Sequence, residues 1–204
     1  MATVVTIGHG TLGEDAFAGL VTGAGIETVL DVRRFPGSRR HPHVAKDRIA
    51  VWLPERGVAY RWLPALGGRR RPTPDSPNTG LRDEAFRGYA DHMATAAFRE
   101  GVGALLEEAR ARRVATMCAE SLWWRCHRRL IADHLVLVEG VAVEHVLPDG
   151  RVTPHRPTPE AVVQGTQVVY PGAPTLLDGP SAGGSGDAPP SPPTRRRREA
   201  GPAP

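Results

Sequence analysis

Apolar and polar positions follow two rhythms along the first 150 residues. Apolar runs of strand length occur at Thr3–Ile7, Ile26–Val32, Val58–Leu63, Val114–Cys118 and Val141–Val146. Between them, apolar residues recur at helical spacing. Phe17, Leu20 and Val21 mark the inner face of a helix from about Leu12 to Thr22, which Gly23 and Gly25 stop. Further helices are expected around Val44–Leu53, over about Asp83–Arg112 with an interruption near Thr95, and from about Trp124 to Val138. Strands alternating with helices predict an α/β fold: an open, mainly parallel sheet of about five strands with helices on both faces, a Rossmann-like three-layer arrangement.

The pattern breaks at two loops and toward the end of the chain. Phe35–Pro42 is rich in Pro and Arg, and Ala65–Gly80 holds Gly67-Gly68, three consecutive Arg and three Pro. Residues 1–150 are therefore read as the α/β domain and 151–177 as an irregular extension. Residues 178–204 are Pro, Gly, Ser and Arg-rich with a basic run at Arg195–Arg198. Such a composition cannot offset an ordering cost of about 1–2 kcal/mol per residue, so a disordered tail is expected. Deleting 178–204 should leave the melting temperature unchanged; a drop of several degrees would contradict that expectation.

A chain of 204 residues, 40% apolar and 24% charged, suits one core with appendages. Its formal charge is +4 and Lys46 is the only Lys. Arg suits bidentate recognition of carboxylate or phosphate, although a GC-rich genome produces the same bias. The first residues show no basic region followed by an apolar stretch, so no secretory leader is expected. No apolar run is long enough to span a bilayer, and two cysteines make no disulfide framework. A cytoplasmic protein with reduced thiols and no membrane partner is the expectation; the oligomeric state is not legible.

In open α/β sheets ligands gather beyond the carboxyl ends of the strands. Those ends carry His9 between Gly8 and Gly10, then Asp31, Arg33, Ser38 and Arg39, then Gly67, Gly68 and Arg69. The fourth strand is followed by Cys118, Glu120, Trp123, Trp124, Cys126, His127 and Arg128. His9 either caps the next helix or faces a ligand, and Asp31 beside Arg33 is most simply an ion pair. Arg33–Arg40 reads equally as a solvated face or an anion-binding loop, whereas Arg69–Arg71 reads more readily as surface than as site. Cys118 is a small core residue or a reactive thiol. Cys126 is expected at a helix start, where free N–H groups and Arg125, Arg128 and His127 favour a thiolate. The Cys-x7-Cys-His spacing is neither a zinc finger nor a c-type haem motif.

These blocks, in this order, resemble the bacterial domain-of-unknown-function family 488. They are Ile7-Gly8-His9-Gly10, Asp31–Arg39, Leu66–Arg69, Gly88–Met93, Cys118-Ala119-Glu120 and Cys126-His127-Arg128, within about residues 3–148. The resemblance implies one compact α/β domain and no particular activity. Asp31-Val32-Arg33 is also similar to the opening of a rhodanese domain, which transfers sulfur through cysteine, but Glu120 interrupts the expected loop. Cys126-His127-Arg128 is similar to the Cys-His-Arg of O6-alkylguanine-DNA alkyltransferases, preceded here by Trp124-Arg125. Neither similarity extends to the fold, so both are analogies.

Three functional classes remain open. The first is an enzyme with Cys126 (or Cys118), His127 and His9 as catalytic groups. Arg33, Ser38, Arg39, Arg69, Glu120, Trp123, Trp124 and Arg128 would hold its substrate, an anionic small molecule, a nucleotide or a nucleic-acid base. The second is a metal or haem protein ligated through Cys118, Cys126, His127 or His9. The third is a nucleic-acid-binding module without catalysis. A buried polar network that only ties loops together is the alternative to all three.

Overall fold

A computed structural model describes residues 3–172. Five strands, β1 (Thr3–Gly8), β2 (Thr28–Asp31), β3 (Ala59–Trp62), β4 (Val114–Cys118) and β5 (Ala142–Val146), alternate with helices. The helices are α1 (Glu14–Gly23), α2 (Lys46–Glu55), α3 (Glu84–Met93), α4 (Ala96–Ala111) and α5 (Arg128–Leu137). A sixth strand, β6 (Val152–Pro154), completes a sheet of order β3-β2-β4-β1-β5-β6. The first five strands are mutually parallel and β6 runs antiparallel on β5. This is a three-layer α/β fold, although β4 lies between β1 and β2, unlike the 3-2-1-4-5 order of dinucleotide-binding sheets.

Alternation along the strands divides the core in two. Val5, Ile7, Val29, Ala115 and Met117 pack against Phe17, Val21, Ile49 and Trp52 of α1 and α2. Val4, Leu30, Val114 and Val143 face Tyr89, Phe98, Leu105, Leu130 and Leu135 of α3, α4 and α5. The connections explain this split. Those from β1 to β2 and from β2 to β3 travel toward one edge, whereas those into β4 and β5 travel back. Right-handed crossovers then put the two sets of helices on opposite faces. The connections after adjacent β1 and β4 leave in opposite directions, which opens a crevice at their carboxyl ends.

The expected break at Thr95 is a helix start. Its hydroxyl accepts from Phe98 N at 3.2 Å, separating α3 from α4, and Asp83 caps α3 by accepting from Ala85 N. The extension read as irregular beyond Gly150 contains β6 and a hairpin of β7 (Val162–Gln164) and β8 (Gln167–Val169). Three-residue strands carry too little periodicity to be read from sequence. Tyr170, fully buried, donates its hydroxyl to Asp133 of α5 at 2.8 Å, and its backbone N–H donates to Asn78 at 2.9 Å. The tail at 178–204 lies outside the described residues.

Candidate functional site

The loops after β2, β3 and β4, with the start of α3, surround a cleft of about 290 Å³ that lies on the β2 side of the β1–β4 crevice and is not lined by the loop after β1. Cys118, Cys126 and His127 line it together with Arg33, Arg34, Arg69 and Arg125. Cys118 ends β4 on the same side as Val114. The chain then makes a 3₁₀ turn at Trp123–Arg125, passes Cys126 in extended conformation (φ −132°, ψ 149°), and enters α5 through His127. Cys126 therefore precedes the helix and is not in its first turn as expected, because the 3₁₀ turn uses the residues before it.

Both sulfurs and one imidazole nitrogen lie within 4.8 Å of one another. His127 Nδ1 is 3.6 Å from Cys126 Sγ and 3.9 Å from Cys118 Sγ. His127 Nε2 donates to the Val32 carbonyl at 3.2 Å, so Nδ1 faces the thiols, where it can accept a thiol proton and then donate it back to the resulting thiolate. Arg128 Nε donates to Cys126 Sγ at 3.3 Å, and its Nη2 donates to the Glu120 carbonyl. The two thiols are driven apart in acidity. Burial opposes charge on Cys126, but the neighbouring Cys118 thiol, the Arg128 guanidinium and His127 hold its thiol well below the usual range. The neighbouring Cys126 sulfur, together with burial, pushes Cys118 up. Cys126 is 3% and Cys118 8% exposed, the reverse of the order expected from sequence.

The imidazole is held from two sides. The Tyr89 ring lies 4.9 Å from that of His127, and the Tyr89 hydroxyl donates to the Leu66 carbonyl at 2.8 Å. On the other side, a β-carbon at Gly68 would stand 2.7 Å from His127 Nδ1. Only glycine leaves room there. Gly68→Ala should displace His127 and raise the pH midpoint of Cys126 alkylation by about one unit. An unchanged midpoint would remove His127 from the set that tunes Cys126.

Arg33 belongs to a second, fully packed network. Its Nε and Nη2 donate to Asp31 at 2.8 and 2.6 Å, and Nη2 also reaches the Val44 carbonyl at 2.7 Å. Tyr60 donates to Asp31 at 2.7 Å. His9 Nε2 lies 3.3 Å from Arg33 Nη1, while His9 Nδ1 donates to Gly10 O at 3.0 Å. Burial and the neighbouring Arg33 lower the His9 pKa from 6.5 to about 4. A depressed histidine favours the folded state above its unfolded pKa and loses that contribution as pH falls from about 6.5 toward 4. The urea midpoint of His9→Asn should consequently fall less than that of wild type across this interval. An equal fall would contradict the buried, neutral reading of His9.

A family model for the domain of unknown function DUF488 matches residues 14–135. The chain belongs to the DUF488 family. No curated protein and no solved structure matches it. The DUF488 match runs from α1 through most of α5, so it contains Asp31, Arg33, Gly68, Cys118, Cys126 and His127. His9 and the extension after Gly150 lie outside it.

Within this DUF488 domain the structure brings together only part of the expected site. Cys118, Cys126, His127, Arg33, Arg69 and Glu120 line one cleft. His9 is turned toward Arg33 and makes no hydrogen bond to either sulfur, because its Nδ1 is anchored by Gly10. Ser38 accepts from His41 N in a local turn, and Arg39 is exposed outside the cleft. Trp123 lies flat on His145 at 3.9 Å, so that face is closed to a ligand base, and Trp124 packs edge-on against Trp123. Arg128 is fully buried beneath Cys126, a positioning residue and not an anion clamp. Arg34 and Arg125, read at the ends of the second and fourth strands, also line the cleft, and so does Phe86, which was not expected there. No helix is long and apolar enough to cross a membrane among the described residues.

Proposed function

We propose that this DUF488 protein is an enzyme in which the Cys126 thiolate attacks an anionic substrate held in the arginine-lined cleft. The observation that supports it best is the set of groups around Cys126 Sγ: the Arg128 Nε donor at 3.3 Å, His127 Nδ1 at 3.6 Å, and the Cys118 thiol. Such surroundings favour the anion, and the thiolate is the nucleophilic form of cysteine. In the reaction Sγ would supply the electron pair of the new bond, and the leaving group would depart with its own. Arg34, Arg69 and Arg125 give the cleft positive charge for an anionic substrate, whereas the charge of Arg33 is balanced by Asp31. Two buried free thiols suit a reducing compartment, so the reading assigns the cytoplasm.

An anionic alkylating probe tests both halves of this proposal. The ratio of iodoacetate to iodoacetamide rates at Cys126 should exceed that of a free thiol by roughly tenfold at low salt, and shrink as salt rises. A ratio at or below that of free cysteine would overturn the proposal.

A metal centre is the second reading, and one observation favours it. Three ligand atoms converge from Cys118, Cys126 and His127, and a backbone carbonyl fixes the other imidazole nitrogen, as in many metal sites. Elemental analysis separates the two readings: one zinc per chain, protecting both thiols from alkylation, would favour the metal. Haem ligation gains no support from a cleft with so many charged walls.

A further inference from the structure

We propose that a second cavity, beside the cysteine cleft and sharing two arginines with it, binds the phosphate groups of the molecule that reacts at Cys126. This inference rests on the reading of the cleft as an active site. The cavity has a volume of about 440 Å³, and Arg34, Arg69, Arg70 and Arg71 line it. Arg34 and Arg69 also line the cysteine cleft, so the two spaces adjoin at these residues.

Four guanidiniums at one cavity repel each other unless an anion joins them. Among the described residues, none of the four takes part in an ion pair. The single carboxylate on the cavity wall is already engaged. Asp91 Oδ1 accepts from Ser76 at 2.6 Å and Asn78 at 2.8 Å, and Oδ2 accepts from Thr73 N at 2.8 Å and Thr73 Oγ1 at 3.2 Å. Crowding is felt at Arg70, whose pKa is lowered by burial and by the nearby Arg34 charge.

Two of the four side chains are held by backbone carbonyls, and the loop that carries the other two is fixed at its backbone. Arg34 Nη1 donates to the Arg69 carbonyl at 3.1 Å, and Arg70 Nε donates to the Gly67 carbonyl at 3.0 Å. Arg69 adopts φ +58°, the only non-glycine at positive φ among the described residues. Gly88, in the middle of α3, is where the loop docks: a β-carbon there would stand 2.5 Å from the Arg71 carbonyl carbon and 2.6 Å from the Arg70 oxygen. Glycine inside a helix costs roughly 1 kcal/mol relative to alanine. Close seating of the Arg70–Arg71 backbone on the helix is what that cost obtains.

Guanidinium groups that retain free N–H donors around a cavity of this size match phosphate oxygens, which accept pairs of such donors. Carboxylates share part of this chemistry, but four guanidiniums against the one Asp91 carboxylate leave a net charge of +3, more than one carboxylate neutralises. Phosphates come either from a small molecule such as a nucleotide or from a nucleic-acid backbone, and the two sources are separable.

The full chain should be titrated calorimetrically with inorganic pyrophosphate and, separately, with a short single-stranded oligodeoxynucleotide, at low salt. Arg70→Gln/Arg71→Gln is compared with Arg39→Gln/Arg40→Gln, which removes the same charge from exposed positions outside the cavity. The tail, with its own basic run, is present in every sample. The cavity variant should weaken binding roughly tenfold or more, and the control less than about twofold. Loss for pyrophosphate indicates a small phosphorylated ligand; loss confined to the oligonucleotide indicates a nucleic-acid backbone. Arg71→Gln alone, at an exposed side chain without a hydrogen-bond partner among the described residues, gives the same test with little risk to folding. No binding of either probe, or equal weakening by both double variants, would overturn the proposal. Failure of the nucleophile reading shows in the alkylation of Cys126, a separate measurement that leaves this titration unchanged.

Discussion

Asp31→Ala is expected to destabilise the fold by about 3–5 kcal/mol, the usual cost of breaking a buried ion pair from one side. Asp31 is fully buried and Arg33 is 6% exposed. Asp31 accepts from Arg33 N at 3.0 Å, Arg33 Nε, Arg33 Nη2 and Tyr60 OH. Alanine would leave a guanidinium in the core with the Val44 carbonyl and His9 as its remaining partners. For a domain of this size the melting temperature should fall by roughly 10 °C. The companion Asp31→Leu/Arg33→Leu should recover part of the loss, because no charge is left unpaired. A loss below about 1 kcal/mol for the single variant would show that Arg33 reaches water in solution.

Arg128→Leu is expected to act on stability and on chemistry together. Its guanidinium, fully buried, links Cys126 Sγ to the Glu120 carbonyl, and leucine satisfies neither. The stability cost should again be about 3–5 kcal/mol. At the same time the pH midpoint for Cys126 alkylation should rise by about one unit or more, because a nearby positive charge is gone. Arg128→Lys should restore more of the midpoint than of the stability, since it keeps the charge and loses the fork. Lower stability with an unmoved midpoint would make Arg128 a structural residue only.

The sheet and its helices were legible because the strands are buried on both faces and the helices have one apolar side. Thr95 was readable as a break because a hydroxyl there competes for the first free N–H groups of α4. The extension was not legible, since it is held mainly by polar contacts among residues distant in sequence. Thr6, His145, His155 and Asp133 form a buried chain at 2.7, 2.9 and 2.9 Å, and Thr158 donates to Asp133 at 2.7 Å. No local spacing announces that chain. The pairing of Cys118 with Cys126 and His127 followed from reading strand ends. The exclusion of His9 did not, because a residue between glycines carries no sign of which way its ring turns. Trp123 looked like a stacking platform from its position alone, yet the ring it stacks on is His145.

The arginine-rich loop shows the same limit. Arg69–Arg71 read more readily as a surface run than as a site, and the feature that favours a site is Gly88 of α3, whose missing side chain admits the loop. Arg34 joined the group because its backbone packs on Gly67, where a β-carbon would meet Arg34 Cα at 2.9 Å.

Alkylation of each cysteine as a function of pH, followed by mass spectrometry on protein stripped of any metal, tests the Cys126 thiolate most directly. Cys126 should reach half its maximal rate well below the ordinary thiol value of about 8.5, and Cys118 well above it. A Cys126 midpoint at or above that value, or a Cys126 that stays inert while Cys118 reacts, would contradict it.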